Sequence, residues 1–546
     1  MSKLAQYLRE HISGEVYDDN YTRNWFSTDG SILSEKPKLV IYPRRVSDVA
    51  KLNRFLWKLS EKGAKLGLTP RGAGSDQAGA AIGSGVSLVF PAHMNKILEL
   101  DTSKNLVVVQ PGINYAALQQ TLHTHGKFLP PYPSSIDFAT IGGSVANNAA
   151  GEKSVKYGSI LNYVKKLKVI LSNGDLIETG PISKKDLKKK KSLNTFEGEI
   201  YRQVDNLVTS NSELVTRLGG VRITKNSAGY NLQLVKLKSG GIDLTPLFVG
   251  SQGTLGVITE ITLKVENYNP NPGLILAEFH DVASADRAVF KLKKLEPSAL
   301  EMVDGNLIEF VKKRHANHID KLISSLETPA IVLLCEFDDV SKLKLKGKIS
   351  KATKIINEYT KFFRVSTDSD EQDEIWKIRH SAALVLSHRT ETGASAVPMI
   401  EDGCVPPNKL PQLISGIYDL FNKYRLDSAI WGHAGDANLH LEPFLDLSNP
   451  NDRRKVFKLL NEYNRLVISL GGTITGEHGE GRIRAPYLKM QFGDDIYNLF
   501  TKLKGIFDPM DIMNPGVKLG VKEVDNISLL RKEFNTQHYV SHLPRS

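Results

Sequence analysis

Cysteine is almost missing from this 546-residue chain, which has only Cys335 and Cys404, in unrelated contexts. Two thiols cannot ligate an iron–sulfur cluster, complete a four-cysteine zinc site or build a disulfide framework. Any redox chemistry therefore needs a bound organic cofactor, or a metal held by His and carboxylates. The sequence has no run of about 18 apolar residues, the length that a membrane span requires. Its first residues, MSKLAQYLREHISGEV, lack the apolar core of a secretory signal. The expectation is a cytoplasmic protein without a transmembrane segment, with peripheral contact at the inner face of a membrane left open. No G-x-x-x-x-G-K-[ST] loop occurs, and no G-x-G-x-x-G opens a helix, so P-loop and Rossmann readings fall. An excess of 71 Lys+Arg over 60 Asp+Glu gives +11. Spread over this length, it lacks the concentration on one face that nucleic-acid binding needs, and no nucleic-acid partner is expected.

What is present is a globular composition, 41% hydrophobic and 24% charged. Residues 1–35 read as a short amphipathic helix and a polar lead-in. KLVIYP is strand-like, and Ser47 is placed as the cap of a helix burying Val49, Leu52, Phe55, Leu56 and Leu59. LVVVQPG at 106–112 reads as a strand, and a helix with Leu118 and Leu122 stops at Gly126. Asn173-Gly174 marks a hairpin. The lysine run in ISKKDLKKKKS, 182–192, reads as a solvated loop. NPNPG around Asn269–Pro272 reads as a domain boundary. Beyond it, GLILAEF with DRAVFKLKKL and AIVLLCEF with KISKATKIINEY repeat a strand-then-helix unit, the pattern of a ferredoxin-like layer. A helix at 452–470 carries an apolar stripe and ends at Gly471-Gly472.

Three glycine-rich segments stand out. The first, Arg71-Gly72-Ala73-Gly74-Ser75-Asp76-Gln77, follows a strand and has consecutive N–H groups suited to an anion. The second joins Pro133-Ser134-Ser135 to Ile141-Gly142-Gly143, Asn147-Asn148, Gly151 and Tyr157-Gly158. The third is Gly250-Ser251-Gln252-Gly253-Thr254-Leu255-Gly256-Val257-Ile258. Small residues at this density suit a backbone lying flat against a large planar ligand and its diphosphate. Together and in this order the motifs resemble the FAD-binding half of the vanillyl-alcohol-oxidase/p-cresol-methylhydroxylase superfamily. The resemblance implies that the first two loops hold the FAD diphosphate and that the third lines the isoalloxazine. The first loop has no His to attach the flavin, so dissociable FAD is expected.

In the second half, Gly432-His433-Ala434-Gly435-Asp436-Ala437-Asn438-Leu439-His440 precedes Gly476-Glu477-His478-Gly479. A hairpin would put His433 and His440 on one side, with Glu477 completing a site. Two His and one carboxylate with open positions suit a divalent metal: Zn first, with Mn or Fe(II) as alternatives. These motifs, with EDGCVP at 401–406 and the 507–520 segment containing Asn514, resemble the substrate half of FAD-linked D-2-hydroxy acid dehydrogenases. The resemblance implies His433, His440 and Glu477 as metal ligands, His478 as base, Arg379 on the substrate and Asn514 beside the flavin. Two departures are Ala437, where glycine is usual, and Glu442, where hydroxyglutarate-oxidising members have Asn.

The sequence therefore predicts an α+β protein. It divides into a helical lead-in at 1–35, an FAD-binding domain at 36–266 and a ferredoxin-like substrate (cap) domain at 267–480. A segment at 481–520 returns to the flavin, and a polar tail occupies 521–546. The expected activity is FAD-dependent oxidation of a D-2-hydroxy acid, D-lactate first, with D-2-hydroxyglutarate or glycolate next and a sugar- or aldonolactone-type oxidase after them. The expected electron acceptor is external: a quinone, a cytochrome or an electron-transfer flavoprotein. A nucleotide- or nucleic-acid-binding protein without chemistry is the alternative from a different class.

Overall fold

The computed structural model describes residues 2–220, 223–323, 327–380 and 394–534. Its first sheet runs in the order Glu15–Tyr17, Leu39–Tyr42, Val86–Val89, Leu68–Arg71, with the last three strands parallel. Helix Val46–Glu61 covers one face and buries Val49, Leu52 and Leu56 against Leu39, Ile41, Val86 and Leu88. Its N-cap is Arg45 rather than Ser47, because the Asp48 carboxylate accepts the Arg44 and Arg45 amides and fixes the first turn.

A second, antiparallel sheet runs Ile97–Asp101, Leu106–Val109, Val257–Lys264, Val164–Ile170, Leu176–Glu178. In Val257–Lys264 every second residue is buried, the signature of a strand with one face on a core. That face meets helices Phe196–Ser210 and Leu488–Phe507 through Val204, Phe500 and Leu503. The hairpin at Asn173-Gly174 joins the last two strands, and Gly174 takes a positive φ of 89°. The strand read at 106–112 stops at Val109. The lysine run is a helix, Lys184–Lys191, and not a loop. Ser183 caps it, Leu187 anchors it, and Lys190 and Lys191 reach Glu197 and Asp205.

The third sheet has seven antiparallel strands, in the order Phe363–Ser366, Gly273–Phe279, Ile331–Phe337, Ala299–Asp304, Ser428–His433, Asn438–Leu445, Ser395–Ala396. The first four, with helices Val282–Lys293 and Lys342–Asn357, are the ferredoxin-like layer; the last three extend it. Both faces are covered. Ile275, Ala277 and Phe279 point to one core, and Leu274 and Leu276 point to another beneath helices Gly305–Leu322 and Ser369–His380. This double burial makes the strands read as unbroken apolar runs. The long helix spans Pro450–Ser469, and Gly471 follows at φ 78°.

Beyond Gly481 the chain returns to the first sheet. The Leu68 amide donates to Ile512 O and the Asn514 amide to Leu68 O, each at 2.7 Å. Within the tail, Glu523–Leu529 is helical and Asn526 is buried, donating to Arg482 O. From residue 535 on, the tail lies outside the described residues.

Candidate active site

Between the three sheets lies a cavity of about 870 Å³, near the upper end of the range for small-molecule sites. One end is lined by Arg71, Gly72, Ala73, Gly74, Ser75 and Gln77, with Pro133, Ser134 and Ser135 opposite. Gly142, Gly143 and Asn147 join them from the helix Ile141–Asn147, and Gly253, Gly256 and Ile258 from the third glycine-rich segment. These glycines make a tight cradle. A Cβ on Gly72 would meet Thr140 Oγ1 at 2.2 Å, and one on Gly142 would meet Pro111 Cβ at 2.6 Å.

Two features at this end fit an anionic, hydrogen-bonding ligand. Arg71 is buried and donates Nη1 to Ala81 O, while its Nε and Nη2 have no protein partner. Burial lowers its pKa to about 10 despite Asp29 and Asp76 nearby. Ser144 Oγ, on the cavity wall, is likewise without a partner. Buried donors without protein partners are costly, so a ligand with phosphate oxygens suits them. These donors, with the glycine backbone, fit an FAD diphosphate.

The other end of the cavity holds the His/Glu cluster. Strands Ser428–His433 and Asn438–Leu445 pair with Trp431 opposite His440. Ala437 closes the turn at φ 53°, the left-handed region that favours the glycine usual there. His433 Nε2 lies 2.9 Å from Glu477 Oε1 and 3.2 Å from His440 Nε2, which is itself 3.2 Å from Glu477 Oε1. A cation with bonds of about 2.1 Å spaces neighbouring ligands by about 3.0–3.4 Å, so the triangle fits one.

The far side of each ligand is held. His433 Nδ1 sits 2.8 Å from Glu301 Oε1, and His440 Nδ1 sits 3.2 Å from Glu401 Oε2. Each carboxylate accepts a hydrogen bond from Nδ1–H and leaves Nε2 facing the triangle, the usual support for metal-binding imidazoles. Glu477 Oε2 accepts from Lys225 Nζ at 3.0 Å and from the Gly151 amide at 2.6 Å. Burial opposes charge at His433, but Glu301 and Glu477 lift it to about 9. Burial also opposes charge on Glu477, yet Lys225 and His433 hold it well below the usual carboxylate range.

His478 is anchored on the same cluster. Its amide donates to Asp402 Oδ2 at 2.8 Å, its Nδ1 lies 2.7 Å from Glu401 Oε2, and its ring stacks on His440. Against burial, Glu401 and Asp402 raise its pKa to about 10. Glu401, Asp402, His440 and His478 also converge closely enough to hold an ion. Their oxygens are already engaged, however: Arg484 on Glu401, and Thr475 and two amides on Asp402. The candidate cation site is therefore the His433, His440, Glu477 triangle. Arg379 lines the cavity with Nε on Glu301 at 2.9 Å.

Other residues singled out from sequence build the wall from behind. Ile141 is buried, and Asn148 caps its helix at φ 56°. Gly151 serves Glu477. Tyr157 reaches Asp338 through its hydroxyl, and Gly158 follows it at φ 70°. The Gly250 amide donates to Val145 O, and the Thr254 hydroxyl meets that of Tyr230. Asn514 ties Ala80 O to Gln252 O. Sequence reasoning missed Glu301 and Lys225, and it missed Trp376, which stacks on His380 at the cavity wall. The available signal for Glu301 was an acid between the apolar neighbours Leu300 and Met302 in strand Ala299–Asp304.

The cavity thus joins a glycine cradle for a dinucleotide to an imidazole–carboxylate centre, the layout of a cofactor-dependent oxidoreductase. The sequence matches the FAD binding domain family over residues 37–180 and the C-terminal domain of FAD linked oxidases over 271–517. It is 30% identical over 521 residues to glycolate oxidase subunit GlcD of Bacillus subtilis (strain 168), covering 92% of this chain and 94% of that protein. The chain belongs to the FAD-linked oxidases. It is also 27% identical to the D-2-hydroxyglutarate dehydrogenase of Haemophilus influenzae, over 93% of this chain but 50% of that protein. A mitochondrial D-lactate dehydrogenase [cytochrome] of Arabidopsis thaliana is 27% identical, over 94% and 79% respectively. Among solved structures, p-cresol methylhydroxylase with substrate bound superposes with a TM-score of 0.68 at 14% identity, covering 96% of this chain and 97% of that one. At that identity the likeness shows the fold. No helix among the described residues is long and apolar enough to cross a membrane.

Proposed function

We propose that the protein oxidises a D-2-hydroxy acid, D-lactate first, to the 2-oxo acid, with dissociable FAD and a divalent cation, zinc first. The observation that carries this reading is the continuity of one cavity from the glycine cradle to His440, Glu477 and His478. FAD bound in the cradle supplies the two-electron acceptor for the C2 hydride. A cation held by His433, His440 and Glu477 supplies a Lewis acid for the substrate hydroxyl, and its charge favours the neutral form of the neighbouring imidazole.

The chain's own groups do the rest. Arg379 draws the substrate carboxylate to the cavity wall, and its tether to Glu301 fixes its direction. The His478 imidazole, at the cavity wall with Nδ1 2.7 Å from Glu401 Oε2, is the group that takes the hydroxyl proton. Glu442 also lines the cavity, two residues beyond His440 on the same strand face. Burial and Glu401 raise its carboxyl well above the usual range and one of its oxygens has no protein partner, so it faces the substrate as a polar group rather than as a fixed negative charge. With both cysteines buried and no cluster ligands in the chain, the electrons leave to an external acceptor, a quinone, cytochrome or electron-transfer flavoprotein.

Anaerobic flavin bleaching with a panel of D- and L-hydroxy acids tests the reading. D-Lactate should bleach the wild type, and His478→Ala should keep its FAD yet fail to bleach. Failure of every hydroxy acid with the wild type would sink the proposal.

A further inference from the structure

Each carboxylate that touches the His433, His440, Glu477 triangle has its own buried cation. Glu301 is paired with Arg379, Glu401 with Arg484 and Glu477 with Lys225, and all six side chains are at most 6% exposed. The first two cations stand behind carboxylates that stand behind imidazoles. Lys225 is different, because its carboxylate is itself the candidate ligand.

Resting on the cation reading above, we infer that Lys225 is a positioning and charge-tuning residue for Glu477. With the Gly151 amide it occupies Oε2, so Glu477 presents Oε1 alone to the two imidazole Nε2 atoms. Its charge also draws electron density away from the carboxylate. A cation on the other oxygen then receives less negative charge and keeps more of its Lewis acidity. Two consequences have opposite signs. A lysine ammonium on the far oxygen of the same carboxylate repels an incoming divalent ion, so it weakens binding. The same repulsion sharpens the ion's pull on a substrate hydroxyl, so it speeds the reaction. A brace that merely held Glu477 in place would strengthen binding instead.

Lys225→Gln separates these roles, because the amide still donates to Oε2 but carries no charge. Lys225→Arg keeps the charge and serves as the control. Zinc is titrated into flavin-loaded, chelator-stripped protein in a competing-chelator buffer, and kcat and KM for D-lactate are measured on the zinc-saturated forms. For Lys225→Gln the expected result is about ten-fold tighter zinc binding, with kcat lowered about ten-fold and KM within about two-fold. Lys225→Arg should restore both values to near wild type. Zinc binding that is unchanged or weaker in Lys225→Gln overturns the inference and leaves Lys225 a brace. If Lys225→Gln does not fold, Lys225→Met takes its place. It removes brace and charge together, and loss of a brace alone would weaken binding, so tighter zinc binding is the expected result and weaker binding overturns the inference. Absence of zinc binding by the wild type would instead refute the cation reading itself.

Discussion

Replacing Glu301 with Gln probes the centre from behind. Glu301 is fully buried between His433 Nδ1 at 2.8 Å and Arg379 Nε at 2.9 Å, and these partners overcome the cost of burial to hold its carboxyl at about 2. Gln preserves its size and one acceptor but removes the charge. A hydrogen bond to a charged group contributes about 1.5–3 kcal/mol and one between neutral groups about 0.5–1.5. The imidazole therefore loses about 1–1.5 kcal/mol of support when it must face a cation through Nε2, a factor of about 5–12 in affinity. Mutations of such outer partners typically cost 10–100-fold. Zinc affinity of Glu301→Gln should thus fall about ten-fold in competing-chelator titration, while the flavin absorbance stays intact. KM for D-lactate should rise as well, because the Gln oxygen cannot accept from both His433 Nδ1 and Arg379 Nε, and Arg379 loses the tether that fixes its direction. An unchanged zinc affinity alongside intact flavin would refute the claim that Glu301 supports a cation ligand. Glu301→Gln and Lys225→Gln should move the same titration in opposite directions.

Gly142→Ala should reduce FAD content, since its Cβ would meet Pro111 Cβ at 2.6 Å and Pro111 O at 2.7 Å and push the helix start into the cradle; flavin-to-protein absorbance ratios check it. Asp304 is buried, and burial raises its pKa from 3.8 to about 7. The folded state therefore holds that proton more tightly, so stability is greatest below the ordinary aspartate pKa and falls as pH rises from about 4 to about 7. The full span is about 3 units, or about 4 kcal/mol. Asp304→Asn, which can still accept from the Leu307 amide, should raise Tm at pH 8 and leave it unchanged near pH 4. Equal shifts at both values would refute the assignment.

Much of the site was legible because its parts are local in sequence. The glycine segments declare close backbone approach, and the His433–His440 spacing declares a hairpin. Two of the ferredoxin-like strands were legible as apolar runs, and Ser428–His433 with Asn438–Leu445 as the histidine hairpin, but not Ser395–Ala396, because a two-residue strand has no period to read. The supporting charges were hidden by distance. Glu301 lies 132 residues from His433, and Lys225 lies 252 from Glu477. An acid in a buried strand shows that it has a partner and not which one. The lysine run misled because its composition reads as solvated, while Ser183 and Leu187 supply the cap and anchor that make a helix.

The bond from the Gly151 amide to Glu477 joins residues 326 apart in the chain. At synthesis rates of about 5–20 residues per second, Gly151 leaves the ribosome roughly 16–65 s before its partner exists. The cradle around Arg71 and Gly142 is complete in sequence long before the imidazoles are made. A half-synthesised chain thus carries the glycine-rich segments but neither His433, His440 nor His478. The Gly151 contact is one of several, with Lys225 on Glu477 and Gln252 on His478 O, that can form only when the second half has been made.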